Sequence, residues 1–246
     1  MSSTTRTRSE RLFEEFCSRK HIRFRRVAVS KVRTPDYDVF LPKRKVVVEV
    51  KEFTPNPQEV RAAEELRRNK FSVVSFTPGD RVRKKITEAA PQIRARCRGR
   101  FPGLLVLFDD GVAARHLDSY QIRVAMYGLE QVVFVVPTDP RASAYPIDRK
   151  YGPKRKMTAD HNTSVSALAV LTKRPAGDLQ LTVYHNDHAV VPLPESLFAR
   201  YAVPQYRLAR PRPGIIADWV EVKWSGMRSN RTVEADARDS GARGSP

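Results

Sequence analysis

The stretch that most constrains the fold is residues 34–53, where two short runs alternate charged and apolar side chains on either side of Pro42-Lys43-Arg44. Successive side chains on an extended strand point to opposite faces. On the first run, Tyr37, Val39 and Leu41 therefore share one face, and Asp36, Asp38 and Phe40 the other. On the second, Val46, Val48 and Val50 stand opposite Lys45, Val47, Glu49 and Lys51. This pattern predicts a β-hairpin whose register is restricted by parity. A turn at Lys43-Arg44 sets Asp38 against Glu49 and Asp36 against Lys51, whereas a turn at Pro42-Lys43 sets Asp36 against Glu49. In both, paired residue numbers sum to an odd value, so the carboxylates share a face. An even sum would press charge against Val39 and Val48, which the apolar pattern forbids. Directly opposed Cβ atoms lie about 4.5–5.5 Å apart, near enough for two carboxylates to share one cation.

Carboxylates gathered in this way repel unless a cation or a proton neutralises them. Oxygen donors with no His or Cys beside them favour a hard cation, Mg²⁺ or Mn²⁺. Such an ion polarises a phosphoryl oxygen and lowers the pKa of bound water. Lys51, two residues after Glu49, projects from the same face and can hold a water or offset charge developing on a phosphate.

Pro35-Asp36 followed by Glu49-Val50-Lys51 resembles the P-D-x(n)-(D/E)-x-K signature of the restriction-endonuclease-like nuclease superfamily. The resemblance covers roughly the first 110 residues. It implies an α/β fold with an αβββαβ core and a mixed central sheet, hydrolysing phosphodiesters with a divalent metal. Carried over by position, Asp36 and Glu49 are the metal ligands and Lys51 the catalytic lysine. Asp38 is a further carboxylate one strand step away and a second candidate ligand, and the proline before Asp36 favours Asp36. The triplet alone carries little, since about one E-x-K is expected by chance in a chain of this length. Glu221-Val222-Lys223 is such a copy: its nearest upstream acid, Asp218, is too close to be a hairpin partner.

The chain has 246 residues, 41% of them hydrophobic, and no apolar run approaches the length of a membrane span. Residues 1–10 lack the apolar centre of a secretory signal. Cys17 and Cys97 form no metal-binding spacing, which predicts reduced thiols in a soluble, cytoplasmic protein. Net charge is +18, and residues 81–100 alone carry eight Lys/Arg against one Glu. A charge of this size favours a polyanionic partner, nucleic acid and by expectation DNA.

Ser9 is expected to cap a helix reaching Lys20, with Leu12, Phe13 and Phe16 as its apolar stripe. The superfamily often sets a glutamate of this first helix near the metal; Glu10 fits that place best and Glu14 second. Residues 21–29 read as a strand preceding the hairpin. Asn56-Pro57 opens a polar helix over 57–69, residues 71–76 form a short apolar segment of strand character, and Asp80 caps a long helix interrupted by Pro91. One face of that helix is basic, and Arg81, Lys84, Lys85 and Arg94 on it are candidate nucleic-acid contacts. Gln92 is the residue that the resemblance would turn toward the site. Residues 104–108 read as a buried strand and close the core.

Beyond residue 110 we expect a C-terminal α+β extension over 111–209, packed on or beside the 1–110 core, and a largely disordered tail over 210–246. Within the extension, residues 119–127 read as helix, 132–136 as a continuous apolar strand, and 165–171 with 179–184 as a hairpin. A short helix is expected over 193–201. Residues 139–160 form a long charged connection in which Lys154, Arg155 and Lys156 are further nucleic-acid candidates. Three functions compete on this reading: a metal-dependent nuclease, a non-catalytic nucleic-acid binder on the same scaffold, and an interaction protein whose second half, not the hairpin, carries the activity.

Overall fold

Thr7, not Ser9, opens the first helix. Its hydroxyl accepts from the Glu10 N–H while the Glu10 carboxylate accepts from the Thr7 N–H at 2.8 Å, a capping box that starts α1 (Arg8–Arg19). In this computed structural model the described residues are 6–28, 33–42, 44–72, 75–109, 117–174, 176–209 and 217–223. After α1 come β1 (Arg23–Arg26), β2 (Tyr37–Leu41) and β3 (Arg44–Glu52), then α2 (Pro57–Asn69), α3 (Asp80–Cys97) and β4 (Gly103–Asp109). The chain continues with α4 (Ser119–Tyr127), β5 (Glu130–Val135), β6 (Tyr145–Tyr151), β7 (Val165–Lys173) and β8 (Leu179–His185). It ends with α5 (Ser196–Ala199), β9 (Gln205–Leu208) and β10 (Trp219–Glu221).

Among the described residues, eight strands form one mixed sheet in the order β1-β2-β3-β4-β7-β8-β9-β10, while β5 and β6 pair apart as a two-stranded ribbon. β2 and β3 are antiparallel, β3, β4 and β7 run parallel, and β7 and β8 form the expected hairpin. Parallel neighbours need a crossover; between β3 and β4 it carries α2 and α3. The protein is thus mixed α/β with a large central sheet, and the sheet runs without a break past residue 110.

Alternation along β3 sorts the core into two layers. Val46, Val48 and Val50 pack with Phe13, Phe16 and Cys17 of α1 on one face. Val47 packs with Ile86 and Ile93 of α3 and with Ile122 and Met126 of α4 on the other. The two buried thiols, Cys17 and Cys97, therefore lie on opposite faces of the sheet. β4 is buried along its whole length, as its unbroken apolar run predicts for a parallel strand covered on both faces. No helix among the described residues is long and apolar enough to cross a membrane.

Several elements depart from the sequence expectations. α3 stays one helix through the exposed Pro91, and its N-cap is Gly79 at φ 71°, with Asp80 the first helical residue. Residues 71, 72, 75 and 76 are outside any strand, and residues 73 and 74 lie outside the described set. The apolar run at 132–136 forms a strand over 132–135, as expected, but in the exposed ribbon rather than in the eight-stranded sheet. Within the stretch expected as tail, Trp219–Glu221 pairs with β9, which makes the second E-x-K copy the end of an edge strand; residues 224–246 lie outside the described set.

Gly103 shows how tightly α3 seats on the sheet. A Cβ there would overlap the Ile93 Cγ2 methyl and the Ser164 carbonyl oxygen and stand 3.2 Å from Cys97 Sγ. The Gly103→Ala protein is expected to lose about 2–3 kcal/mol of stability through overpacking. Urea denaturation with an unchanged slope and a lower midpoint would show it; an unshifted midpoint would mean that α3 yields freely.

Candidate active site

Tyr37 pairs with Val48 and Leu41 with Arg44, so residue numbers across the hairpin sum to 85. Of the two registers that parity allows, this is the one that sets Asp36 opposite Glu49. The backbone confirms the placement, since the Val50 N–H donates to Asp36 Oδ2 at 2.8 Å. Lys51 Nζ lies 2.7 Å from Glu49 Oε1. Gln92, with its amide oriented to face complementary partners, donates to Glu49 Oε1 at 3.2 Å and to the Thr34 carbonyl at 3.1 Å. Asp36, Glu49, Lys51 and Gln92 thus converge between the β2–β3 hairpin and α3.

The electrostatics follow from that crowding. Burial, then the Glu49 carboxylate, push the Asp36 carboxyl up to about 7; the Val50 hydrogen bond and Lys51 pull the other way. Burial also raises Glu49, with the hydrogen bond and charge of Lys51 opposing. Glu10 adds negative potential to both. Its own carboxylate is engaged by the Thr7 cap and by Arg26 Nη2, at 3.3 Å from Oε2. Glu10 therefore acts on the pair through its field, while its hydrogen bonds hold the start of α1.

Asp38 is placed differently. It pairs with Val47, and its buried carboxylate accepts from Arg96 of α3 at 2.5 and 3.1 Å and from Arg25 of β1 at 2.9 Å. Lys45 stands 3.7 Å away. Burial alone would raise its pKa, but the bonds from Arg96 and Arg25 and the charge of Lys45 hold it below the ordinary aspartate range. With three cations around it, Asp38 acts as a structural anchor for α3 and leaves Asp36 as the aspartate beside Glu49.

The basic candidates divide among several places. Arg81 donates to Glu59 Oε1 at 2.8 Å and to the Thr54 carbonyl at 2.6 Å, and its guanidinium lies 5.0 Å from the Phe53 ring centre. With Lys84 it borders a cleft beside Phe53, the residue after β3. Lys84 is exposed near Asp80, and Lys85 stands 3.6 Å from Glu88. Lys85 and Gln92, seven residues apart, lie on one line of the helix. Arg94 borders a separate cleft with residues 160–164. Lys154 and Arg155 are exposed and Lys156 is half-buried, in a turn whose backbone is tied to α4. Sequence reading overlooked Arg25, Lys45 and Arg96; the signal for Arg96 was its position four residues after Gln92, on the same helix face.

Among the described residues, no three His, Cys, Asp or Glu side chains gather in a way that could hold a metal ion. Mg²⁺ differs from a caged ion in keeping several waters and needing only one or two carboxylates alongside substrate phosphates. Asp36 and Glu49 fit that requirement: they are all-oxygen donors, and each can accept at about four lone-pair positions. Their mutual repulsion is also what a divalent ion would relieve. The chain matches no protein-family model, no curated protein and no solved structure. What can be said of its chemistry therefore comes from this hairpin and the helix over it.

Proposed function

We propose that the protein is a metal-dependent nuclease of the restriction-endonuclease-like kind, hydrolysing phosphodiester bonds in DNA. The observation that carries this reading is a hairpin register that, extended one step beyond Tyr37–Val48, sets Asp36 opposite Glu49, with the Val50 N–H on Asp36 and the Lys51 ammonium 2.7 Å from the glutamate. The order α1-β1-β2-β3-α3-β4, with α2 inserted before α3, supports an αβββαβ core. Asp36 and Glu49 would hold Mg²⁺ or Mn²⁺, which when bound supplies charge neutralisation at the phosphate and acidifies water. Gln92 fixes the Glu49 carboxylate through its amide. Lys51 presents a positive charge from the same face, placed to offset negative charge as it develops on the phosphoryl oxygens. The excess of basic residues, +18 over the chain, draws the polyanion to this surface. The buried, unpaired thiols accord with a cytoplasmic setting.

The second reading, a nucleic-acid binder without hydrolysis, has in its favour that no three metal-competent side chains gather among the described residues. Incubating the purified protein with supercoiled plasmid separates them. The nuclease reading expects nicked or linear product with Mg²⁺ or Mn²⁺, none with chelator, and none from the Lys51→Ala protein at unchanged melting temperature. Retention without cleavage in either metal would leave the binder.

A further inference from the structure

We infer that the β5–β6 ribbon is an arm that enters a groove of duplex DNA. The inference rests on the nucleic-acid half of the function proposed above and not on hydrolysis. The ribbon stands apart from the eight-stranded sheet, yet its surface is apolar where most hairpins are polar. Phe134 is 54% exposed, Ile147 55% and Tyr145 53%. Isolated two-stranded ribbons are marginal in water, and this one is held at its base. The Gly152 N–H donates to the Leu129 carbonyl at 2.5 Å, and the Tyr151 hydroxyl donates to the Ala217 carbonyl at 2.5 Å. The Met157 N–H donates to the Met126 carbonyl at 2.8 Å, and a Cβ on Gly128 would come within 2.6 Å of the Gly152 carbonyl. A firm root and an exposed apolar blade describe an arm with an occupant.

Charge identifies the occupant. Residues 130–156 carry six Lys/Arg against three acids, and one of those acids, Glu130, is paired with Arg123. Arg149 lies directly across from Val132 on the ribbon, so basic and apolar groups interleave. A second copy of the chain, at +18, would present like charge to this arm, whereas a polyanion is attracted. A two-stranded ribbon matches the width of the DNA major groove, about 12 Å, and apolar side chains on such elements pack against bases while lysines and arginines meet phosphates. The arm also leaves the body on the correct side. Ile122 and Met126 of α4, which leads into it, share an apolar layer with Val47, on the face of β3 that carries Glu49 and Lys51.

The test is binding of a short fluorescent duplex and of the matching single strand, in chelator so that hydrolysis plays no part. Phe134→Ser with Ile147→Ser is expected to weaken duplex binding about tenfold without changing the melting temperature or the salt dependence. Arg149→Gln with Lys150→Gln is expected to lower the slope of log affinity against log salt by about 1.8. Unchanged duplex affinity in both double variants would overturn the inference. So would an equal loss for the single strand. Sedimentation gives the remaining outcome: a wild-type dimer dispersed by Phe134→Ser with Ile147→Ser, at unaltered DNA affinity, would make the ribbon a self-association arm and overturn the inference. Because cleavage is absent from the assay, a protein that binds through the ribbon but never cuts would sink only the hydrolase.

Discussion

The Asp36→Asn protein is expected to lose DNA cleavage by at least a thousandfold and yet melt higher than wild type at pH 8. The two effects share a cause. Asp36 is held beside Glu49 at the cost of burial and like-charge repulsion, which raise its carboxyl from 3.8 to about 7. Between those values the folded chain holds a proton that the unfolded chain has released, so stability falls as pH rises through the window. The amide keeps an oxygen for the Val50 N–H but carries no charge. The stability gain should be absent near pH 4 and complete by pH 8, on the order of 1 kcal/mol or about 2–4 °C. It should also invert with metal: millimolar Mg²⁺ raises the wild-type melting temperature and leaves the variant unmoved. Loss of the metal's contribution, several kcal/mol, corresponds to about a thousandfold in rate. Full cleavage by this variant, or equal melting temperatures at pH 8, would remove Asp36 from the site.

Asp38→Ala is expected to fail for the opposite reason. Its buried carboxylate gathers Arg25 from β1, Lys45 from β3 and Arg96 from α3. Removing it leaves three cations facing one another and cuts the tie that holds α3 over the hairpin. Breaking a buried pair from one side costs about 3–5 kcal/mol. Here Arg25 is 66% exposed and can turn to water, which brings the loss down to about 2–3 kcal/mol. Cleavage by Asp38→Ala should therefore fall in step with its folded fraction and recover on cooling, whereas Asp36→Asn stays inactive while fully folded. A stable, inactive Asp38→Ala protein would return Asp38 to the metal.

The comparison of the two aspartates shows what a sequence can carry. Parity put Asp36, Asp38, Glu49 and Lys51 on one face before any register was known, because a one-residue slip would have buried charge against Val39 and Val48. It left open which aspartate met Glu49, since both turns satisfy it. The structure selects the register in which paired numbers sum to 85, and the deciding partners of Asp38 lie 13 and 58 residues away in sequence, beyond any local pattern. Glu10 was legible as an acid in the first turn of a helix. That its carboxylate closes a capping box depended on Thr7, rather than Ser9, being the cap. The run at 132–136 was legible as a strand, but its place in an exposed ribbon was not, because an apolar stretch reads the same in a buried strand as in an exposed one. Gln92 came from the resemblance, and the structure sets its amide against Glu49.

The last described residues bear on that ribbon in a way their position in the chain conceals. Asp218 meets Arg123 at 2.7 Å, the Trp219 indole donates to the Ser119 carbonyl at 2.9 Å, and Ala217 receives the Tyr151 hydroxyl. Residues 217–219 are thus the mooring of a projection made nearly seventy residues earlier. Shortening the chain before residue 217 is expected to leave Asp36, Glu49 and Lys51 in place while slackening the root of the projection, so the proposed cleavage and the proposed capture would be separable by position.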